Sequence, residues 1–210
     1  MFNQINMTNV DWLGFTVASV AVVLAPGPGS VFVAKTAGSL GARAGRMAMF
    51  GIMLGDTCLI MLSLLGISAL FMTYPALFHA VRLIGAGYLI FLGLQSIFAK
   101  QKEKSAVLQD SVLSLRRALT ITLLNPKAVF FFMAFFPVFI KSTQGGFFIP
   151  YVSMTLVFMA ISFTYLCILS CVCSRVGFAF QESRTIQSIA RKVCGCLFIG
   201  FGIKVAVASR

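Results

Sequence analysis

Acid is what this chain has least of. Of its 210 residues, five are Asp or Glu and one is His. General acid–base chemistry draws on those side chains, so a catalytic constellation has almost nothing to be built from. Charged residues of both signs make up 10% of the chain, where a soluble domain carries roughly 25%. With 59% hydrophobic residues and a mean hydropathy of +0.97, there is too little polar material to cover a water-facing surface. Twenty-two Phe exclude disorder equally. No G-x-x-x-x-G-K-[ST] run occurs, which argues against an ATP-driven pump. No Lys or Arg precedes Lys35, so the basic start of a signal peptide is missing. The apolar runs do not alternate at period two, which excludes a barrel. The expected fold class is an all-α integral membrane protein.

What the chain does have is long apolar runs with basic connections. A helix needs about 20 apolar residues to cross the hydrocarbon core. Six stretches qualify: Leu13–Ala34, Met47–Phe71, Ala76–Ala99, Ala118–Ile140, Phe147–Val172 and the shorter Val193–Ala208. No polar domain is left over, so residues 1–210 are expected to form a single membrane transport domain. The net charge is +12, which in a soluble protein would suggest nucleic acid. Here the cations sit in short connections without interleaved aromatics, so nucleic acid is not an expected partner and the lipid bilayer is. Connections 35–46, 100–117 and 175–192 hold three, five and four of the seventeen Lys and Arg. By the positive-inside bias those three connections face the cytoplasm and both termini lie outside.

An internal repeat is the most informative pattern. A shift of 98 residues lays Pro28-Gly29-Ser30-Val31-Phe32 on Pro126-Lys127-Ala128-Val129-Phe130. A shift of 109 lays Arg82 on Arg191, Ile90 on Ile199 and Gly93 on Gly202. The halves, approximately 1–105 and 106–210, therefore hold three spans each. Three is odd, so the second half crosses in the opposite sense, giving two inverted three-helix repeats of the kind found in secondary transporters.

Helix breakers fall at matching places in both halves. Span one contains Ala25-Pro26-Gly27-Pro28-Gly29 and span four contains Asn125-Pro126-Lys127. Each proline lacks an N–H and clashes with the carbonyl four residues back. Freed backbone at membrane depth is tolerated only where protein or a water-filled cavity satisfies it. Helices 1 and 4 are thus expected to be broken at their Pro motifs, around a binding site. Asp56 and Lys127 each lie ten residues beyond a flanking cytoplasmic arginine, at about 15 Å depth. The Pro26–Gly29 segment lies at about 9–14 Å by the same measure. An ionisable group there costs about 2.5–3.5 kcal/mol even on lenient insertion scales, which makes it a functional candidate. Pro26, Gly27, Pro28, Gly29, Asn125, Pro126 and Lys127 are the expected substrate-binding residues. A restarting helix offers N–H groups and a positive dipole end to a carboxylate. Asp56 is the expected ammonium-binding or proton-coupling group; an Asp56–Lys127 pair that only holds helices together is the structural alternative.

The motifs in order resemble the LysE/RhtB family of amino-acid exporters. They are the early Pro-Gly-Pro, Gly41-Ala42-Arg43-Ala44-Gly45, Gly51-Ile52-Met53-Leu54-Gly55-Asp56, Arg82-Leu83-Ile84-Gly85-Ala86-Gly87-Tyr88-Leu89 with Gly93, and Leu124-Asn125-Pro126-Lys127. The resemblance covers essentially the whole chain and is strongest to the leucine-exporter branch. It implies proton-driven antiport of small neutral amino acids out of the cytoplasm, across a bacterial inner membrane, with no cofactor. One departure stands out: the family commonly has Asn after Pro-Gly-Pro, and this chain has Gly29.

Other residues attract attention with less reason. Cys58, Cys167, Cys171, Cys173, Cys194 and Cys196 all fall in or at the ends of apolar spans, where Cys behaves as a small hydrophobe. No metal site is expected. His79 and Arg82 lie toward the outer end of span three, Ser63 has no His partner for nucleophilic chemistry, and Trp12 reads as an interfacial anchor. The glycines of spans three and six permit close helix contact and leave room for a homodimer. Export of another solute or a metal ion, and a non-transporting accessory subunit, are the competing readings. A metal exporter would cluster acidic, His or Cys ligands at membrane depth, where Asp56 stands as the lone central acid.

Overall fold

A computed structural model describes residues 10–73, 75–98, 111–125, 128–129, 131–132, 136, 139–140, 148–176 and 184–208. Among them are six helices: α1 (Trp12–Leu24), α2 (Pro28–Thr73), α3 (Pro75–Phe98), α4 (Ser111–Leu123), α5 (Phe148–Val176) and α6 (Arg184–Ala208). The one extended pairing among the described residues is an isolated antiparallel bridge between Val10 and Ile140. Two stretches, Pro28–Gly66 and Phe148–Val176, are long and apolar enough to cross a membrane. The chain is an all-helical membrane protein.

α2 holds its surprise at Gly41, whose φ of 83° and ψ of 179° interrupt the helix. A side chain cannot adopt that conformation without strain, and glycine can. The helix folds back there. A Cβ added to Gly45 would lie 2.6 Å from the Cβ of Ala37, although eight residues of straight helix would separate the two by about 12 Å. Segments 28–40 and 42–73 therefore form a hairpin whose crossing point admits only Ala and Gly. The connection expected over 35–46 is thus helical except at Gly41. Likewise α6 begins at Arg184, well before the expected Val193. Lys and Arg are good helix formers, so hydropathy locates the end of the apolar run rather than the end of the helix.

Small residues set the packing. Gly51 and Gly55 of α2 lie against Leu115, Ala118 and Thr122 of α4, with no room for a Cβ at either glycine. The partner numbers rise together, so the two helices run parallel. α3 and α6 run antiparallel, and their contacts are reciprocal. Gly93 meets Ile199 and the Gly195 carbonyl; Gly202 meets Ile90 and the Ala86 carbonyl. Each pair becomes the other under the 109-residue shift. Elsewhere α2 packs on α5, and α1 packs on both α5 and α6.

An aromatic core joins α1, α5 and the segment after α4. Phe15, Phe136 and Tyr151 are fully buried; Phe136 stacks on Tyr151 at 4.8 Å between ring centroids and meets Phe15 at 5.5 Å. The Tyr151 hydroxyl donates to the Ile60 carbonyl at 3.2 Å, so its polar end is satisfied inside the core. Ser63 donates to the Phe132 carbonyl at 2.9 Å. That places Ser63 as a structural clamp.

Candidate functional site

The chain leaves helical geometry between α1 and α2. The Ala25 N–H still donates to the Ala21 carbonyl at 3.0 Å, closing α1. Gly27 then caps α2: its carbonyl accepts from the Val31 N–H at 3.0 Å, and its N–H donates to Ser30 Oγ at 3.1 Å. Pro28 occupies the first helical position, where its missing N–H costs nothing. Ser30 reaching back to the cap is a variant of the capping box.

The same device recurs 98 residues later. α4 stops at Leu123, and the Asn125 carbonyl accepts from the N–H groups of Ala128 and Val129 at 3.0 and 3.1 Å. Gly27 to Val31 and Asn125 to Val129 are the same four-residue link, and in the sequence a proline follows each cap.

Both interruptions open on one cavity of about 130 Å³. At the roughly 10–15 Å³ that a single water needs, it has room for on the order of ten water-sized groups. Its polar side is formed by Gly27, Ser30, Asp56, Asn125 and Ser162. Its apolar side includes Phe131, Phe132 and Phe158, three mutually packed rings with centroids 5.3–6.0 Å apart. Asp56 is 8% exposed, and no described residue hydrogen-bonds or ion-pairs with it. Burying a carboxyl is costly, so its place among the few polar groups of a mostly apolar cavity is significant. The α1 end contributes Val22, Val23 and Ala25, where the last carbonyls of a helix are without intrahelical partners.

Of the residues expected from sequence, Gly27, Pro28, Gly29, Asp56 and Asn125 line this one cavity. Pro26 lies in the same interruption without lining it. Pro126 and Lys127 lie outside the described residues. Sequence reasoning missed the contribution of α5. Its buried positions Tyr151, Met154, Phe158, Ser162, Leu166, Ser170 and Cys173 recur every three or four residues, a stripe visible in the sequence as helical spacing. Cys58, Cys171 and Cys196 are exposed and Cys173 is buried beside Ala34 and Ala37. No group of three or more metal-ligating side chains stands together among the described residues.

An open cavity where two helices stop, in an apolar all-helical chain, is the arrangement of a membrane transport protein with a small-molecule substrate. The model of the LysE type translocator family matches residues 20–209, and the chain belongs to that family: it is a transporter and not an enzyme. It is 32% identical to the leucine efflux protein of Klebsiella pneumoniae, over 98% of both chains. It is 30% identical to the leucine efflux protein of Salmonella typhimurium, again over 98% of both. An uncharacterized membrane protein of Pseudomonas aeruginosa is 32% identical, over 95% of this chain and 96% of its own. No solved structure matches.

Proposed function

We propose that this chain exports small neutral amino acids with apolar side chains, leucine among them, from the cytoplasm by antiport against protons. The observation that carries the reading is Asp56, buried without a described partner, beside two capped helix starts and an aromatic wall in one cavity. A zwitterion needs a partner for each charge and a dry place for its side chain. The start of α2 supplies N–H groups and a positive dipole end for the carboxylate, with Lys127 as a second cation. The end of α1 and Asp56 receive the ammonium. Pro26, Gly27, Pro28, Gly29, Asn125 and Pro126 build the two interruptions that leave backbone free for these contacts. Asp56 exchanges a proton for the substrate ammonium, which ties outward transport to the proton gradient. The relatives named leucine efflux proteins support the substrate class.

The halves, approximately 1–105 and 106–210 of a single transport domain, are inverted repeats in this reading. The reciprocal contacts of α3 and α6 support it. Two antiparallel segments whose contacts exchange under one sequence shift are related by a two-fold axis perpendicular to both. For helices that cross a bilayer, that axis lies in the membrane plane. The 13-residue lengths of α1 and α4, each ending at an interruption, agree with the same pairing. With basic connections inside, both termini face away from the cytoplasm, across a bacterial inner membrane.

Efflux of preloaded labelled leucine from expressing cells tests the proposal, with Asp56→Asn and Lys127→Ala at matched membrane levels. Wild-type efflux is expected to stop when an uncoupler is added, and both substitutions are expected to reduce it to background. Efflux indifferent to Asp56→Asn removes the coupling role. Failure to move leucine or any neutral amino acid overturns the substrate class.

A further inference from the structure

Ser162 is 5% exposed, lines the cavity, and makes no hydrogen bond to any described residue. Ser170 of the same helix is also without a partner, but it does not line the cavity. Ser153, Thr155 and Thr164 of the same helix all donate to the carbonyl four residues back, at 2.8–2.9 Å. A hydroxyl on the wall of a mostly apolar cavity can hydrogen-bond the polar end of what enters it. One turn before Ser162 on the same face stands Phe158, 3% exposed and packed on Phe131 and Phe132.

We infer that α5 carries the specificity face of the transporter: Ser162 hydrogen-bonds the head group of an α-amino acid, and Phe158 closes the far end of its side-chain pocket. This rests on the amino-acid reading above and adds residues and a size rule to it. Positions four apart on a helix are separated by about 5–6 Å. That is roughly the reach of a branched four-carbon side chain from its α-carbon to its outer surface. Asp56 and Ser162 then fix the polar end, and the three rings set how far the apolar end extends. Leu166, one turn to the other side of Ser162, also lines the cavity; the ruler is assigned toward Phe158 because the packed rings stand there. Phe131 and Phe132 are less free to act as the gauge, because the Phe132 carbonyl is held by Ser63. Phe158 sits on an uninterrupted helix, its ring packed on Phe131, Phe132 and Phe136.

The test is counterflow into proteoliposomes preloaded with unlabelled substrate, comparing labelled alanine, leucine and phenylalanine. The variants are Phe158→Leu, Phe158→Trp and Ser162→Ala. Phe163→Leu, on the exposed side of the same helix, is the control. Phe158→Leu is expected to shift the phenylalanine-to-leucine ratio about 10-fold toward phenylalanine, and Phe158→Trp to shift the leucine-to-alanine ratio about 10-fold toward alanine. That is the scale at which apolar pockets discriminate. Ser162→Ala is expected to raise KM for all three about 10-fold, as for one lost hydrogen bond to a charged group, with their ratios unchanged. Phe163→Leu leaves ratios and KM as in wild type. Ratios that stay within two-fold in both folded Phe158 variants overturn the size rule, as does an equal change in the control. A Ser162→Ala protein with wild-type KM overturns the head-group contact. Folding is checked by monodispersity in detergent, and a Phe158→Leu protein that fails it leaves Phe158→Trp and Ser162→Ala to decide. Wild type that moves none of the three defeats the amino-acid reading itself, a result distinct from unchanged ratios in active variants.

Discussion

The two helix interruptions use one backbone device with different chemistry on it. Before α2, a glycine caps and Ser30 satisfies its N–H. Glycines flank Pro28 on both sides, so the chain presents bare backbone to the cavity. After α4, the cap is Asn125, which brings an amide side chain to the cavity wall, and the sequence places Lys127 two residues on. Under the 98-residue shift Gly27 pairs with Asn125 and Gly29 with Lys127. In the proposed repeat, the way the helix stops and restarts is kept and the polar groups differ. A symmetric scaffold with asymmetric side chains, as proposed above, would suit a substrate whose two ends carry opposite charges.

The largest expected effect comes from erasing one interruption. Replacing Pro26, Gly27 and Pro28 together by Ala removes two prolines, each worth roughly 3 kcal/mol against helix continuation, and supplies the best helix former. α1 should then run into α2 and efflux should fall to background, with the protein still folded and inserted. Pro126→Ala alone should cost about 10-fold, because Asn125 still caps the restart. Equal losses in the two variants would mean that the interruptions contribute in the same way. Leucine efflux at matched expression, with protease accessibility as the folding check, reads both.

A middle-sized contrast separates capping from contact. Ser30→Ala frees the Gly27 N–H and is expected to lower stability by about 1 kcal/mol, a fall of roughly 2–4 °C in Tm for a chain of this size. Its KM for leucine should rise less than Asn125→Ala raises it. Asn125→Ala keeps the carbonyl that accepts from Ala128 and Val129 and loses the amide on the cavity wall. Its expected signature is a rise in KM of about 10-fold with a smaller change in Tm. Thermal unfolding in detergent and transport kinetics, measured on both proteins, would reverse the assignment if the two signatures changed places.

Much of this was legible in the sequence, and for a physical reason. Proline forbids a backbone hydrogen bond wherever it occurs, so the Pro-Gly-Pro and Asn-Pro positions mark the end of a helix without knowledge of the partners. Asp56 was legible because a carboxyl among apolar residues is costly whatever surrounds it. Gly41 was not: glycine is common in membrane helices, and only its φ distinguishes the hinge from Gly66 or Gly87, which have open space around them. Ser162 was hidden for a similar reason. Ser153, Ser170 and Ser174 lie on the same helix in the same kind of apolar sequence, and it is the tertiary fold that puts Ser162 and not these on the cavity wall.

Gly29 offers the finest test of the comparison. Its family commonly carries Asn at this place, opposite Lys127 of the second half, so a side chain here would make the two interruptions more alike. A Cβ added to Gly29 would meet Ile52 Cδ1 at 3.1 Å and nothing else closer than 3.8 Å. The obstruction is the tip of one aliphatic side chain, which can turn aside at a cost of about 1 kcal/mol. Gly29→Asn is therefore expected to fold normally and to change leucine KM by less than about 3-fold. The double variant Gly29→Asn with Ile52→Val should restore whatever is lost, since it removes the methyl in the way. A loss that Ile52→Val does not rescue would show that the bare backbone at position 29 is itself required, and that the first interruption works because nothing stands on it.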